Sequence, residues 1–323
     1  EMFAPRRIRL HQQVGRALEE VHAGRLMEHA AEMAEHFTQS TDREDLQKGL
    51  EYGEMAAQRS MAVYAYGEAS RLLDQALQVQ EVLDPDDKAR TCELLLSLGD
   101  ALLAAGEPRR VMDVVAPEAF ALAEAVSDRA RASRASWLAC NAIGHYAGPT
   151  MLSTPENLHW VERFDRYAEP GTKERVFADI RLANLRTNEG NHSEARALNL
   201  RAMELARELE DTEALYRAAR GFLISGVPPQ HEEERLRLVR EMNSRGQVGL
   251  TVGTLGVWLR SGIDVLLDWG DRAGAEAMWE QQSQLAQRTN LIASLVAGPM
   301  LAYLDGHLDD AVLGAEGLLR TVE

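Results

Sequence analysis

Cysteine is almost missing from this 323-residue chain, proline is sparse at 10 residues, aromatic side chains make up 6%, and basic residues are outnumbered. Cys92 and Cys140 are too few for a disulfide framework and lack the paired spacing of a zinc site, so a reducing compartment is expected. No apolar run nears the roughly 18 residues that a membrane helix needs. The first residues show no basic stretch followed by an apolar one, which speaks against a secretory signal and for a cytoplasmic chain. With 35 Lys+Arg against 51 Asp+Glu the formal charge is −16, and a surface of that sign repels phosphate instead of displacing its counterions. Only residues 1–25 run the other way, with Arg6, Arg7, Arg9, Arg16 and Arg25 against Glu1, Glu19 and Glu20. That slight excess fits contact with another domain of the same protein better than contact with DNA.

The motifs of catalysis are missing too. Gly171-Thr172-Lys173 lacks the upstream glycine and the preceding apolar strand of a phosphate loop. His29, Glu32 and His36 share a helix face, but positions i and i+7 lie about 10.5 Å apart along the axis. One zinc ion needs every ligand within about 2 Å, so these side chains are read as a helix surface or an interhelix contact. His231-Glu232-Glu233-Glu234-Arg235 has no second histidine and reads as a charged helix start. Ser133, Ser136 and Ser225 lie on Ala-rich helices without a nucleophile-elbow motif. Both cysteines sit in apolar helical stretches and are expected to be buried small hydrophobes. The sequence therefore assigns no catalytic residue, metal or cofactor, and the chain is not read as an enzyme.

What remains is helical. Apolar residues make up 45% of the chain, enough for a folded core. The long stretches between prolines and glycines are rich in Ala, Leu, Glu and Arg. Leu50, Ala57 and Met61, then Ala69, Leu72, Leu73, Ala76 and Leu77, recur at the steps of a buried helix face. Strand alternation is nowhere sustained. Asp84 before Pro85, with Asp86 and Asp87, predicts a helix start; Thr41 and Glu44 have capping-box spacing; Thr154 precedes Pro155. Pro117 predicts a break or kink in the helix after Val111.

The glycines carry a repeat. Gly106, Gly190, Gly270 and Gly306 each follow a helical segment, and Val111, Ala195, Ala275 and Ala311 stand five residues later. Their intervals are 84, 80 and 36 residues; Gly148 and Gly226 fall between the first three, and Tyr64, followed by Ala69, lies 42 residues before Gly106. A small residue early in the second helix permits close approach, and glycine permits the turn. One such hairpin cannot bury both its apolar faces, whereas stacked hairpins can. The predicted architecture is an all-α, right-handed superhelix of about eight antiparallel hairpins.

Tyr52, Ala56, Ala57, Ala69, Leu73 and Ala76 resemble the tetratricopeptide pattern, as do Leu182, Ala183, Gly190, Ala195, Ala202 and Leu98, Gly99, Gly106. The intervals of 36 to 44 residues are longer than that repeat and imply longer, irregular helices. Gly148-Pro149 and Val227-Pro228-Pro229 enlarge two of the turns. The N-terminal succession is more specific. Arg6, Arg7, Arg9, Leu10, His11, Gly15, Ala17, Leu18 and Glu19 are followed by the run from His29 to Phe37, then Tyr52, Ala56-Ala57 and Tyr64 to Ala69. This is similar to the junction in bacterial STAND-type signal-transduction ATPases. In those proteins a P-loop core and winged-helix segment run into a tetratricopeptide-like tail, and the chain often also carries a nucleotide cyclase or a LuxR-type or maltose-activator-like regulator module. The resemblance implies that residues 1–40 end a preceding ATPase-linked segment and that residues 41–323 form the repeat domain.

In a tetratricopeptide-like hairpin the first helix lines the groove. Counting from Gly190, Gly226 and Gly270, the expected groove residues are Asn184, Tyr216, Arg220, Arg260 and Asp264, groups able to hold peptide backbone or acidic side chains. Trp258, Trp269 and Trp279 flank one turn and are expected in the core. The expected function is capture of a protein or peptide partner by a sensor or scaffold region of a signalling or transcription-regulating ATPase. The alternative is a small-molecule inducer site between helices near Gly148 and Gly226.

Overall fold

The computed structural model describes residues 4–147, 154–224, 231–289 and 297–320, and every regular element among them is a helix. They divide into two compact units, Glu1–Glu169 and Pro170–Glu323. In the first unit the helices pair as α1 (Ala4–Val21) with α2 (Leu26–Phe37), α3 (Arg43–Ala62) with α4 (Tyr66–Leu83), and α8 (Arg129–Ala147) with α9 (Pro155–Tyr167). Between them α5 (Lys88–Ala104) pairs with an interrupted partner, α6 (Pro108–Arg110) and α7 (Ala116–Ala125), joined by a π turn at Val111–Val115. The second unit pairs α10 (Lys173–Asn188) with α11 (His192–Glu208), α12 (Thr212–Ile224) with α13 (Glu232–Asn243), α14 (Val252–Trp269) with α15 (Arg272–Thr289), and α16 (Ala297–Leu304) with α17 (Leu308–Leu319). Each unit is thus a run of helical hairpins, in agreement with the all-α, tetratricopeptide-like reading.

One turn recurs seven times among the described residues. At Gly190 the backbone N–H donates to the Thr187 carbonyl (3.0 Å), and Asn191 N–H donates to the Arg186 carbonyl (2.8 Å). This pair of bonds closes a helix around one left-handed residue. Gly106, Gly270 and Gly306 form the same turn, with φ of 80°, 85° and 77°. Tyr64, Ser127 and Glu210 form it with φ of 63°, 57° and 53° despite carrying a Cβ. The next residue often caps the following helix: Asp128, Asn191, Asp211 and Asp271 accept from the N–H of Arg131, Glu194, Ala214 and Gly274. A single residue therefore both ends one helix and aims the next back along it. Five positions beyond the left-handed residue, Ala69, Val111, Ala132, Ala195, Leu215 and Ala275 are buried, while Ala311 is half-buried.

Several boundaries differ from the sequence reading. Thr154 does cap α9, accepting from Asn157 N–H (3.3 Å) with Pro155 in the first turn. At α3, however, the cap is Asp42, not Thr41; its carboxylate accepts from Glu44 and Asp45 N–H. Asp84 ends α4 instead of opening α5. Its carboxylate is taken by the local turn, accepting from Asp86 N–H (3.2 Å), so Asp87 becomes the cap and accepts from Arg90 N–H. Pro117 lies in the first turn of α7, where its missing N–H costs least, and the π turn before it absorbs the predicted break. Gly148, Gly226 and the prolines beside them lie outside the described residues.

Polar contacts between successive hairpins repeat the spacing of the turns. Arg90 meets Glu54, Arg110 meets Asp74, Arg131 and Arg134 meet Glu93, and Arg196 meets Glu234, all 36 to 41 residues apart. The side chains of α1 are likewise tied down. Glu19 accepts from Lys48 and Tyr52 (both 2.6 Å), Arg16 holds the buried Asp45 (3.1 Å), and Gly15 sits against the ring of Phe37. Burial alone would raise the Glu19 carboxyl, but its bonds to Lys48 and Tyr52 outweigh that and lower it.

Candidate functional site

Some first helices of successive hairpins pack side by side: α5 on α8 in the first unit, α10 on α12 and α12 on α14 in the second. The second helices make no comparable approach to one another. Closer spacing on one side curves each run, so the first-helix side is the inner face.

The residues expected from sequence to line a groove fall on the first helices of the second unit. Asn184 lies on α10, Arg220 on α12, and Arg260 and Asp264 on α14, all half-buried. Arg260 and Asp264 are joined as an i,i+4 pair, Nε to both carboxylate oxygens at 3.3 Å. Tyr216 is a correction: it is fully buried, its ring edge-on to Trp258 (5.3 Å), its hydroxyl donating to the Met242 carbonyl (2.8 Å). The reason is that α12 is covered by α10, α11 and α14 and is buried around most of its girth, so few of its side chains reach the face. Trp258 is core, as expected, whereas Trp269 is 47% exposed and Trp279 half-buried.

The charges of this face differ in how they are balanced. Asp179 on α10 is fully buried and held by two guanidiniums, Arg175 (2.6 Å) and a two-pronged Arg201 (2.6 Å for both bonds). Glu213 on α12 accepts from Arg217, Thr254 and the Thr251 N–H. Burial pushes its carboxyl upward, and these bonds more than reverse that, leaving it below the usual range. Arg220 is the exception. Its Nε is buried without a hydrogen-bond partner, and the charges acting on it are those of Arg181 and Arg217, both of its own sign. Burial, then those two neighbours, hold its pKa below that of an ordinary arginine.

The first unit holds a cleft that sequence reasoning missed. Between α3 and α5, which stand apart, Glu54, Ala57, Gln58, Met61, Ser97 and Asp100 form the walls and Leu73 of α4 the floor, enclosing about 260 Å³. Asp100 is 55% exposed at its side chain. Burial raises the carboxyls of both Asp100 and Glu54, against the lowering effect of Arg134 and Arg90 respectively. Glu54, Gln58 and Met61 recur at i, i+4 and i+7, a signal readable in sequence only once α3 is known to face α5.

The remaining candidates fall into structural roles. His36 meets His11 (2.9 Å between Nδ1 atoms), and His29 stacks on His22 (3.5 Å between rings). The first is a contact of α2 with α1 and the second of α2 with the turn that follows α1, in line with the interhelix alternative. No group of three metal-ligating side chains occurs among the described residues. Cys92 and Cys140 are buried and form no disulfide with each other, and burial pushes the Cys92 thiol up to about 11. Thr172 of the Gly171-Thr172-Lys173 string caps α10. Ser136 donates to the Ala132 carbonyl inside α8. Ser225 lies outside the described residues. Glu232, Glu233 and Glu234 form the acidic first turn of α13. No helix among the described residues is long and apolar enough to cross a membrane.

No protein-family model and no curated protein matches the chain in sequence. Its fold is similar to solved structures. The Rap protein complexed with competence and sporulation factor superposes with a TM-score of 0.53 at 11% identity, covering 98% of this chain and 96% of that one. BtubC (BKLC) from P. vanneervenii gives 0.51 at 13% identity, covering 73% of this chain and 93% of the other. The chain is an all-helical repeat protein of this fold.

Proposed function

We propose that the chain is a non-catalytic scaffold that captures a peptide or protein partner on the inner face of its helical hairpins. The observation that carries this reading is the grouping of half-buried amide, guanidinium and carboxylate groups, Asn184, Arg220, Arg260 and Asp264, on the side-by-side first helices α10, α12 and α14. Such groups hold peptide backbone and acidic side chains while the hairpins behind them supply rigidity. The Rap structure, similar in fold, is a complex with competence and sporulation factor, which supports a binding role here. Residues 1–40 act in this reading as the end of an ATPase-linked segment of a STAND-type regulator. Partner binding shifts how neighbouring hairpins stack, and α1 passes that shift on; its Arg6, Arg7, Arg9 and Leu10 are exposed and available for contact. The setting is a cytoplasmic signalling or transcription-regulating protein.

Partner capture by the purified chain, followed by hydrogen exchange, tests the proposal. Protection should appear along the inner faces of α10, α12 and α14, and Asn184→Ala with Arg260→Ala should weaken capture about tenfold or more. Protection confined to α11, α13 and α15, or capture indifferent to both substitutions, would reject the groove. A second reading, a small-molecule sensor, is favoured by the cleft between α3 and α5. A metabolite screen read by melting temperature separates the two, because a ligand selective for the folded state raises the midpoint.

A further inference from the structure

Four arginines among the described residues bury an Nε that has no hydrogen-bond partner: Arg175, Arg196, Arg220 and Arg235. Three of them place another guanidinium nitrogen on a carboxylate, Asp179 at 2.6 Å, Glu234 at 2.6 Å and Asp268 at 3.6 Å. Arg220 has no such acid, and its charged neighbours are Arg181 on α10 and Arg217 on α12. Arg217 is engaged with Glu213 (2.8 Å). The six residues after α12, Ser225 to Gln230, include no acid that might serve. In a chain with a net charge of −16, a half-buried guanidinium that meets no carboxylate of its own and has cations for neighbours is a costly arrangement.

Register places the cluster. Arg217 and Arg220 are i and i+3 on α12, Arg181 and Asn184 are i and i+3 on α10, and the two helices pack side by side. Guanidinium groups present parallel N–H donors that match the two oxygens of a carboxylate or phosphate. We propose that Arg220, flanked by Arg181 and Arg217 with Asn184 beside them, is an oxyanion-binding site on the inner face of the second unit. The anion is a carboxylate of an acidic peptide segment or a free phosphate, the same chemistry from two sources. This rests on the reading that ligands bind the inner face, and it names the chemical class they must present there.

The test uses the whole chain, titrated at constant ionic strength with inorganic phosphate and with an acetylated, amidated Glu-Asp-Glu-Asp tetrapeptide, read by calorimetry and melting midpoint. One or both should bind saturably, and the tighter one identifies the source. Arg220→Met, which keeps the apolar stem, should weaken that binding about tenfold or more. Arg220→Lys, which keeps the charge and loses the fork, should fall between. Arg220→Met should also raise the midpoint of the ligand-free protein, since it removes an uncompensated charge; Arg207→Met, equal in charge change but on the exposed Arg207–Glu241 pair, should not. Absence of binding by either anion, unchanged affinity in Arg220→Met, or a lowered ligand-free midpoint in that variant would overturn the site. Anion binding without partner capture rejects the scaffold reading and leaves the site standing. Inner-face capture that survives Arg220→Met does the reverse.

Discussion

The two units use one turn and one hairpin but balance the charges of their inner faces differently. In the first unit the carboxylates dominate: Glu93 is held by Arg131 and Arg134 on the neighbouring hairpin, Glu54 by Arg90, and Asp100 faces the cleft with Arg134 at 3.6 Å. In the second, Asp179 is buried between two guanidiniums while Arg220 has cations for neighbours. Paired charges that span hairpins fix how those hairpins stack. A charge without a counter-charge inside the fold does no such work, and its place in an inner face is explained by what lies outside the chain.

The largest expected effect separates buried from half-exposed pairing. Asp179→Asn should cost about 2–3 kcal/mol, reduced from the full value for a buried pair because Arg201 is largely exposed, since two guanidiniums lose a fully buried carboxylate there. Glu93→Gln in the first unit should cost less than about 1 kcal/mol, because both partners are about a third exposed. Denaturant titration of each variant checks the order, and equal losses would erase the contrast between the units.

The next effect should be common to both units. Gly106→Ala and Gly190→Ala force a Cβ into the left-handed region and should each destabilise by about 1 kcal/mol. Ser127→Gly and Glu210→Gly relieve that strain and should stabilise by several tenths of a kcal/mol, the flexibility of glycine in the unfolded chain offsetting part of the gain. Thermal midpoints of the four variants test whether one turn governs both arrays; opposite signs within either pair would contradict it.

The smallest effect is a difference in the sign of pH dependence. Glu213 has a lowered carboxyl, so its contribution is present above the unfolded carboxylate pKa and fades as pH falls through the lower folded one. Asp100 has a raised carboxyl, so its contribution is present at low pH and is lost as pH rises through the raised value. Glu213→Gln should therefore flatten the acid limb of stability, and Asp100→Asn should raise stability near neutrality while leaving the acid end little changed. Urea midpoints between pH 3 and 7 decide this, and parallel shifts of both variants would refute it.

The legible parts of the fold were those written into single residues. Gly106, Gly190, Gly270 and Gly306 marked turns because left-handed backbone is cheap only for glycine, and Val111, Ala195 and Ala275 marked close approach because little else fits there. The equivalent turns at Ser127 and Glu210 left no such mark, since their conformation is imposed by the helices on either side. Counting along helices placed Asn184 and Arg220 on α10 and α12, where both are half-buried. Tyr216 was misplaced, because counting does not reveal that α12 is wrapped by neighbours on several sides. The cleft at Glu54 and Asp100 was invisible because its walls lie 36 to 46 residues apart in the chain.

Composition and periodicity by themselves determined that this protein is helical, acidic and built of repeated hairpins, because helix propensity, caps and the left-handed turn are local and act within a few residues. Which carboxylate meets which guanidinium, and which guanidinium meets none, was decided only when the hairpins stacked. Many counter-charges among the described residues come from the next hairpin, and whether one arrives depends on spacing and rotation that no single helix specifies.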